Sequence, residues 1–228
     1  MSNNIMTSII SSSTGRTYRG QTPEQRAAER RRRFLEAGLQ LFGTIGLRAV
    51  TVRRICREAG LTDRYFYESF DTMESLLVAV YEHHLGLIME KMIAVISASN
   101  NVIDDGNGLR DLTQYLLDAF YLEMENPLVS RVCMFEVEGV SPAVHQLYNR
   151  YISTFASIIV ETAKRYCAPW PLNKQETEVI GQTLVGGITQ NTRNWVASEY
   201  KTARADMVRG TQLVFEGTLM QVKLLQNQ

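Results

Sequence analysis

The stretch that decides the fold is residues 51–70, TVRRICREAGLTDRYFYESF. Its apolar side chains recur at helical spacing on both sides of Gly60, and Thr51 and Thr62 begin the two halves. Threonine is a favoured helix N-cap, and glycine ends a helix in the left-handed conformation at little cost. The pattern predicts two short helices that cross at a tight turn. The side chains expected between them are Ile55, Cys56, Ala59, Leu61 and Phe66.

The charged side chains are distributed unevenly, although the net charge of the whole chain is zero. Residues 16–70 contain twelve arginines and six carboxylates, a net charge of +6, whereas residues 71–228 contain twelve basic and eighteen acidic side chains, a net charge of −6. A positive field at one end of a molecule attracts a phosphate backbone. A helix-turn-helix places its second helix in the major groove of DNA. The charge pattern therefore favours binding of double-stranded DNA by this segment.

The rest of the sequence predicts helices almost throughout. Thr22, Pro23 and Gln25 form a start signal for a first helix, and Gly43 and Gly46 indicate where it ends. A long helix is predicted to begin at Asp71 or Thr72, and a loop is predicted from Ser97 to Gly108. Further helices are predicted at about residues 109–126, 128–138, 142–167, 174–199 and 203–226.

We therefore predict an all-α fold in three parts. Residues 1–21 are expected to be a disordered basic tail, because they lack both helical periodicity and the apolar core of an export signal. Residues 22–72 are predicted to form a three-helix DNA-binding domain that contains the helix-turn-helix. Residues 73–228 are predicted to form a second, helical domain.

Other classes of site have no support in the sequence. Cys56, Cys133 and Cys167 are far apart, and no histidine has a partner at metal-binding spacing, so we predict no metal site, disulfide or cofactor. The chain contains no HExxH, GxSxG or phosphate-loop motif, which argues against an enzyme. No apolar run is long enough to span a membrane. A cytoplasmic protein that does not bind membranes is expected.

An ordered pattern extends on both sides of the turn, through Phe34, Leu35, Ala37, Gly38, Leu41, Phe42, Gly46, Thr51, Val52, Ile55, Ala59, Gly60, Leu61, Thr62, Phe66, Tyr67, Phe70 and Leu76. It resembles the tetracycline-repressor (TetR) family of bacterial regulators and covers about residues 30–78. The resemblance implies that residues 73–228 bind a small-molecule effector and dimerise. It also implies a homodimeric regulator, expected to be a repressor, that binds a palindromic operator and is released by the effector.

Arg64, Tyr65 and Tyr67 of the second helix are the first candidates for contacting DNA. Arg64 could pair with guanine through two hydrogen bonds, with a phosphate contact as the alternative. Tyr65 could contact a phosphate or a thymine methyl group. Tyr67 is expected to donate its hydroxyl to a phosphate, with packing against the first helix as the alternative. Glu68 is expected to pair with a neighbouring arginine.

The other candidates for contacting DNA are Thr51, Arg53, Arg54 and Thr62. The two threonines could serve phosphates through their hydroxyls and the amides at helix starts, although a simple capping role for Thr62 is an alternative. Arg53 and Arg54 should border the DNA or else be solvated. Three arginines of the first helix are expected to add electrostatic attraction without fixed contacts: Arg26, Arg30 and Arg33.

Aromatic residues at helical spacing in the second domain are candidates for lining an effector pocket, with ordinary core packing as the alternative. An apolar or aromatic effector would suit such a lining. The candidates are Tyr115, Phe120, Phe135, Tyr148, Tyr151 and Phe155.

The last two predicted helices contain several glycines, each of which costs about 1 kcal/mol relative to alanine inside a helix. Close helix packing would offset this cost, and the family resemblance implies that these two helices form the dimer interface. The glycines are Gly181, Gly186, Gly187, Gly210 and Gly217.

Met73 is the main departure from the family, which usually has a phosphate-binding lysine at the start of the fourth helix. A helical ligand-binding adaptor without DNA binding is therefore one alternative function. An all-helical enzyme is a second and less favoured alternative.

Overall fold

The computed structural model describes residues 22–99 and 108–226, and within these ranges all regular structure is helical. The all-α prediction is confirmed. The predicted tail and residues 100–107 of the predicted loop lie outside the described ranges. The helices are α1 (Pro23–Ile45), α2 (Val52–Ala59), α3 (Asp63–Ser69), α4 (Met73–Ser99), α5 (Gly108–Met124), α6 (Pro127–Arg131), α7 (Pro142–Tyr166), α8 (Lys174–Ala197) and α9 (Arg204–Leu225), with a 3₁₀ turn at Leu47–Ala49 and a π-helix at Val132–Glu136.

Helix α1 is fixed at both ends by residues that the sequence marks. The Thr22 hydroxyl accepts a hydrogen bond from the Gln25 amide, and the Gln25 side chain accepts one from the Thr22 amide. The helix ends at Gly46, whose φ of 81° favours glycine. Gly43, which we expected to help end the helix, lies inside it instead. A Cβ at this position would lie 2.7 Å from the Cα of Leu128, so glycine is what lets α6 approach α1.

The turn between α2 and α3 forms as the sequence predicts. Gly60 adopts the left-handed conformation with φ of 61° and ψ of 37°, and the Leu61 amide donates to the Cys56 carbonyl at 2.9 Å. The buried rings of Phe34 and Phe66 lie edge to face with their centroids 5.6 Å apart, and they pack α3 against α1. Helix α3 is therefore held from one side while its other side faces solvent.

Two helix boundaries differ from the sequence prediction. Helix α4 continues to Ser99 and α5 begins at Gly108, so the first residues of the predicted loop are helical. The helix predicted at about 128–138 begins at Pro127 and changes to a π-helix at Val132. A π-helix widens the turn by one residue, and apolar spacing does not indicate where this occurs.

The long helix α4 runs from α1–α3 into the second half of the molecule. Its Val80 packs against Gly38 of α1, and farther along it packs against α5. Helix α9 covers α5, and α7 packs against α8. One continuous apolar core extends from Phe34 through Ile88 to Trp195. In residues 22–99 and 108–226, no helix is long and apolar enough to cross a membrane.

Candidate functional site

Helix α3 exposes polar side chains on one side and buries an aromatic ring on the other. Phe66 is fully buried, whereas the Arg64 side chain is 84% exposed and Tyr67 is 60% exposed. The Nε of Arg64 donates to a carboxylate oxygen of Glu68 at 2.9 Å. A guanidinium nitrogen of Arg30 lies 3.7 Å from the other oxygen of this carboxylate. Glu68 therefore pairs with two arginines, one of which faces solvent on the outer side of α3.

Arginines of α1 hold the two short helices in place. The guanidinium carbon of Arg30 lies 4.6 Å from the centroid of the Tyr65 ring, a cation–π contact. Arg31 donates to the carbonyl of the last residue of α3 at 3.1 Å, and Arg33 donates to the carbonyl of the glycine at the α2–α3 turn at 3.3 Å. Arg30 and Arg33 therefore also have a structural role, because they bind α3 and the turn before it.

The remaining predicted DNA contacts are exposed at the start of α2 and before α3. The Thr51 hydroxyl accepts a hydrogen bond from the Arg54 amide at 3.3 Å and caps α2. Within the described residues, the Thr62 hydroxyl makes no capping bond to α3. Arg53 and Arg54 are exposed because α2 turns Ile55 to the core. The predicted contacts thus lie on the solvent-facing side of α2 and α3.

A cavity of about 120 Å³ lies among α4, α5, α7, α8, α9 and the π-helix. Four of the six aromatic residues expected to line an effector pocket line this cavity: Phe120, Tyr148, Tyr151 and Phe155. They come from α5 and α7, which α9 and α8 cover. The cavity is thus assembled from helices that are far apart in the sequence.

Tyr115 and Phe135 do not line the cavity, which corrects the prediction for these two residues. Tyr115 is 64% exposed, because it lies on the side of α5 that faces away from the buried Leu117. Phe135 lies on the outer side of the π-helix and is 37% exposed, with the guanidinium carbon of Arg193 at 6.0 Å from its ring centroid.

Tyr81 of α4 is a cavity residue that sequence reasoning missed. It is 2% exposed, and its ring lies edge-on to the ring of Tyr151 with centroids 5.6 Å apart. Burial raises the pKa of Tyr81, and the nearby Cys133, Tyr148 and Tyr151 raise it further. Its position four residues after Leu77 on the apolar stripe of α4 is a signal that could have identified it.

The π-helix connects the cavity with the end of α1. Cys133 lines the cavity, and burial raises the pKa of its thiol to about 12. Glu136, in the same turn, accepts hydrogen bonds from the Leu47 amide at 2.7 Å and from Nε of Arg131 at 3.2 Å. Arg131 also donates to the Thr44 carbonyl at 3.0 Å. We call Arg131, Glu136 and their partners Thr44 and Leu47 the joint.

Other titratable groups do not form a second site. Burial raises the pKa of Cys56 to about 11, and the neighbouring Asp63 adds to this effect. Burial lowers the pKa of His84, and His83 lowers it further. Among the described residues, no three His, Cys, Asp or Glu side chains are grouped so that they could hold a metal ion.

The comparison with known proteins agrees with this geometry. Residues 34–80, which comprise the second half of α1, all of α2 and α3 and the start of α4, match the family described as bacterial regulatory proteins, tetR family. Residues 34–80 therefore belong to the tetR family of bacterial regulatory proteins. The match agrees with the expectation of a regulator rather than an enzyme.

The matches between this chain and its curated relatives cover only part of each relative's length. The uncharacterized HTH-type transcriptional regulator YerO of Bacillus subtilis is 33% identical over 64 residues, which are 28% of this chain and 22% of that protein. The nucleoid occlusion factor SlmA of Haemophilus influenzae is 27% identical over 149 residues, which are 61% of this chain and 65% of that protein. This chain therefore spans less than two thirds of either relative.

A solved structure extends the likeness of fold beyond the first helices. The transcriptional regulator FadR from Bacillus subtilis, in complex with stearoyl-CoA, matches with a TM-score of 0.68 at 15% sequence identity. The match covers 81% of this chain and 96% of that chain. At this identity the likeness concerns the fold alone.

Met73 occupies the first position of α4, within the matched segment, and packs, half-buried, against the core. It therefore supplies no cation where the family usually has lysine.

Helices α8 and α9 expose an apolar face, which we define as Val179, Leu213, Val214, Met220 and Leu224. Each of these side chains is at least 50% exposed. Four glycines of the two helices have open space where a Cβ would lie: Gly186, Gly187, Gly210 and Gly217. Gly181 differs, because a Cβ there would lie 3.0 Å from Val160 of α7, so its close packing is within the chain.

Proposed function

We propose that this TetR-family chain is a cytoplasmic transcriptional repressor that binds a palindromic operator as a homodimer and leaves it when a small apolar effector binds. The observation that carries the proposal is α3, a short helix with an outward arginine and an exposed tyrosine that three arginines of α1 hold in place. Residues 22–72 would bind DNA, and residues 73–228 would bind the effector and dimerise.

The proposed DNA contacts divide into base reading and phosphate binding. Arg64 lies in the first turn of α3, the part of a recognition helix that enters the major groove. Tyr65 and Tyr67 follow it on the same helix. Thr51, Arg53, Arg54 and Thr62 would bind the phosphates that flank the groove, since hydroxyls, helix-start amides and arginines are the usual phosphate ligands.

The proposed dimer is formed by the apolar face of α8 and α9 against the same face of a second copy. Large apolar side chains exposed together on two helices support an interface, and the four open glycines let two backbones approach closely. A two-fold dimer presents two α3 helices to two half-sites about 34 Å or a multiple of this distance apart, which requires a palindromic operator.

The proposed effector acts from the cavity through two connections. Helix α4 carries Tyr81 of the cavity wall directly beside Val80, which packs with Leu76 against Gly38 of α1. The π-helix carries Cys133 of the wall and Glu136 of the joint. An effector that moves either wall would change how α1–α3 is held, and coupling of this kind is typically worth about 1–3 kcal/mol. The FadR structure with stearoyl-CoA supports a ligand role for this fold.

The experiment that tests DNA binding is a mobility shift with the full chain and duplexes from the region upstream of its own gene. We expect a shift that survives an excess of random duplex, and loss of this preference in Arg64→Ala. A chain that binds apolar ligands but shifts no duplex would instead be the adaptor, and the repressor proposal would be wrong.

Sedimentation of the free protein tests the dimer. We expect a species of twice the 25.9 kDa chain mass at micromolar concentration. Gly217→Leu should weaken association, because its side chain would enter the proposed interface. Gly86→Leu is the matched control, since a Cβ at Gly86 also meets open space but α4 lies outside the proposed interface. A wild-type monomer, or equal effects of both variants, would contradict this assignment.

A further inference from the structure

The cavity excludes charge from the part of a ligand that it encloses. The described residues that line it include no aspartate, glutamate, lysine, arginine or histidine. Burying an ionised group without a partner is costly, because nothing in the lining replaces its hydration. The buried part of an occupant is therefore uncharged.

Most threonine hydroxyls of the cavity already have acceptors for their protons. Thr113, Thr189 and Thr218 each donate to the backbone carbonyl four residues earlier, at 2.8–2.9 Å. Each of these hydroxyl protons is already used in a hydrogen bond within its own helix and cannot be donated to a ligand. Donors for an occupant must come from elsewhere in the lining.

Three tyrosines, whose hydroxyls are able to donate a hydrogen bond, line the cavity. Tyr81 from α4 meets Tyr148 and Tyr151 from α7, and all three line the cavity. In the part of the chain that the structure describes, none of the three hydroxyls has a hydrogen-bond partner. Burial raises the pKa of Tyr81, so its hydroxyl keeps its proton at neutral pH and remains a donor. Tyr81 is buried, and a buried hydroxyl without a partner gains from a ligand acceptor, whereas Tyr148 and Tyr151 are half-buried.

We infer that the cavity takes an uncharged apolar or aromatic molecule with one hydrogen-bond acceptor, such as a carbonyl oxygen, and that Tyr81, Tyr148 and Tyr151 form the donor group that binds this acceptor. This inference rests on the proposed function, because it assigns the chemistry of the proposed effector. In this assignment the three tyrosines determine which ligands are preferred, and the apolar side chains of the cavity provide most of the binding affinity.

Acetophenone and ethylbenzene are suitable probes. They have nearly the same shape and differ in one carbonyl oxygen, and an apolar cavity of about 150 Å³ is known to take up a benzene ring. Without a donor in the cavity, acetophenone would bind more weakly, because its carbonyl would lose hydration without compensation. With a donor, we expect acetophenone to bind about fivefold more tightly than ethylbenzene, the effect of one net hydrogen bond.

The experiment is a ligand-observed NMR titration of the full chain with acetophenone, ethylbenzene and benzoate at neutral pH, where benzoate is ionised. Single variants Tyr81→Phe, Tyr148→Phe and Tyr151→Phe and the triple variant remove hydroxyls without changing ring volume. The triple variant should lose the preference for acetophenone and keep its affinity for ethylbenzene. Tyr115→Phe, on the exposed side of α5, is the control that should change neither value.

Each outcome is decisive for one of the two claims. Equal wild-type affinities for acetophenone and ethylbenzene, or a preference that survives the triple variant, would overturn the donor group. Benzoate binding as tightly as acetophenone would overturn the uncharged ligand. If neither ethylbenzene nor acetophenone binds, this inference fails, whereas the mobility-shift and sedimentation tests of the proposed function are unaffected.

Discussion

Helices α2 and α3 and the cavity differ in how their proposed functional side chains are positioned. In α2 and α3 these side chains point outward from two short helices, and the residues that hold them lie in α1 or in the same helix. In the cavity they point inward from five long helices and the π-helix. The first arrangement depends on a few local contacts, whereas the second depends on the packing of the whole second half of the chain. Single substitutions should therefore affect the two regions differently.

The largest expected effect is at the contact between α1, which holds α2 and α3, and α6 of the second half of the chain. Gly43 of α1 faces Leu128 of α6, and a Cβ there would lie 2.7 Å from a backbone atom that cannot rotate away. We expect Gly43→Val to reduce the free energy of unfolding by about 3 kcal/mol, because overpacking of this kind forces backbone shifts. Urea unfolding followed by circular dichroism measures the change.

Gly86→Ala is the control for the helix propensity of alanine over glycine. A Cβ at Gly86 of α4 meets open space, so this variant should be stabilised by up to about 1 kcal/mol. If Gly43→Val were as stable as the wild type, α1 and α6 would not be held as closely as the structure has them.

The difference between the regions also explains what the sequence could predict. Thr51 and Gly60 act on residues within a few positions of themselves, so their pattern alone was sufficient for the α2–α3 turn. The lining of the cavity depends on which side of α5 its neighbours cover. Phe120 lines the cavity while Tyr115, on the same helix, faces solvent.

The joint could not be predicted at all. Glu136 and Leu47 are 89 residues apart in the sequence, and neither lies in a motif. Their contact depends on the π-helix, which turns Glu136 toward the end of α1. Apolar periodicity predicts an α-helix through this segment and says nothing of the direction in which a carboxylate points.

The second expected effect tests the side chain that we assign to base reading. Arg64→Ala should lose about 1–3 kcal/mol of binding to the preferred operator and relax the choice of base at one position in each half-site. Binding to a library of duplexes measures both quantities. Equal losses on operator and random DNA would mean that Arg64 binds a phosphate, and base reading would then pass to Tyr65.

The third expected effect tests whether the joint links the two regions. Glu136→Gln removes the charge that faces Arg131 and weakens the hold on the Leu47 amide. If the joint transmits the effector signal, the ratio of operator Kd with and without a cavity ligand should fall by about fivefold, or about 1 kcal/mol of coupling. Acetophenone is the ligand to use in this measurement.

Glu138→Gln is the matched control for this variant. Glu138 pairs with Arg193 at 2.8 Å, and its side chain is 63% exposed. It lies two residues from Glu136 but outside the joint, so its removal should leave the ratio of operator Kd values unchanged. Unchanged coupling in Glu136→Gln would leave α4 as the route between the cavity and α1–α3.

The smallest expected effect concerns Tyr67, which is 60% exposed on α3. Tyr67→Phe removes one hydroxyl that we assign to a phosphate, so operator and random DNA should lose affinity equally, by about 0.5–1.5 kcal/mol. The hydroxyl is neutral and releases no counterion, so the slope of log affinity against log salt should not change. Arg53→Ala should flatten that slope by about one unit per subunit if Arg53 neutralises a phosphate.

A larger loss on the operator than on random DNA would identify Tyr67 as a base contact. A loss of folding stability without a loss of DNA affinity would instead mean that its ring, which lies edge-on to Phe66, serves packing alone.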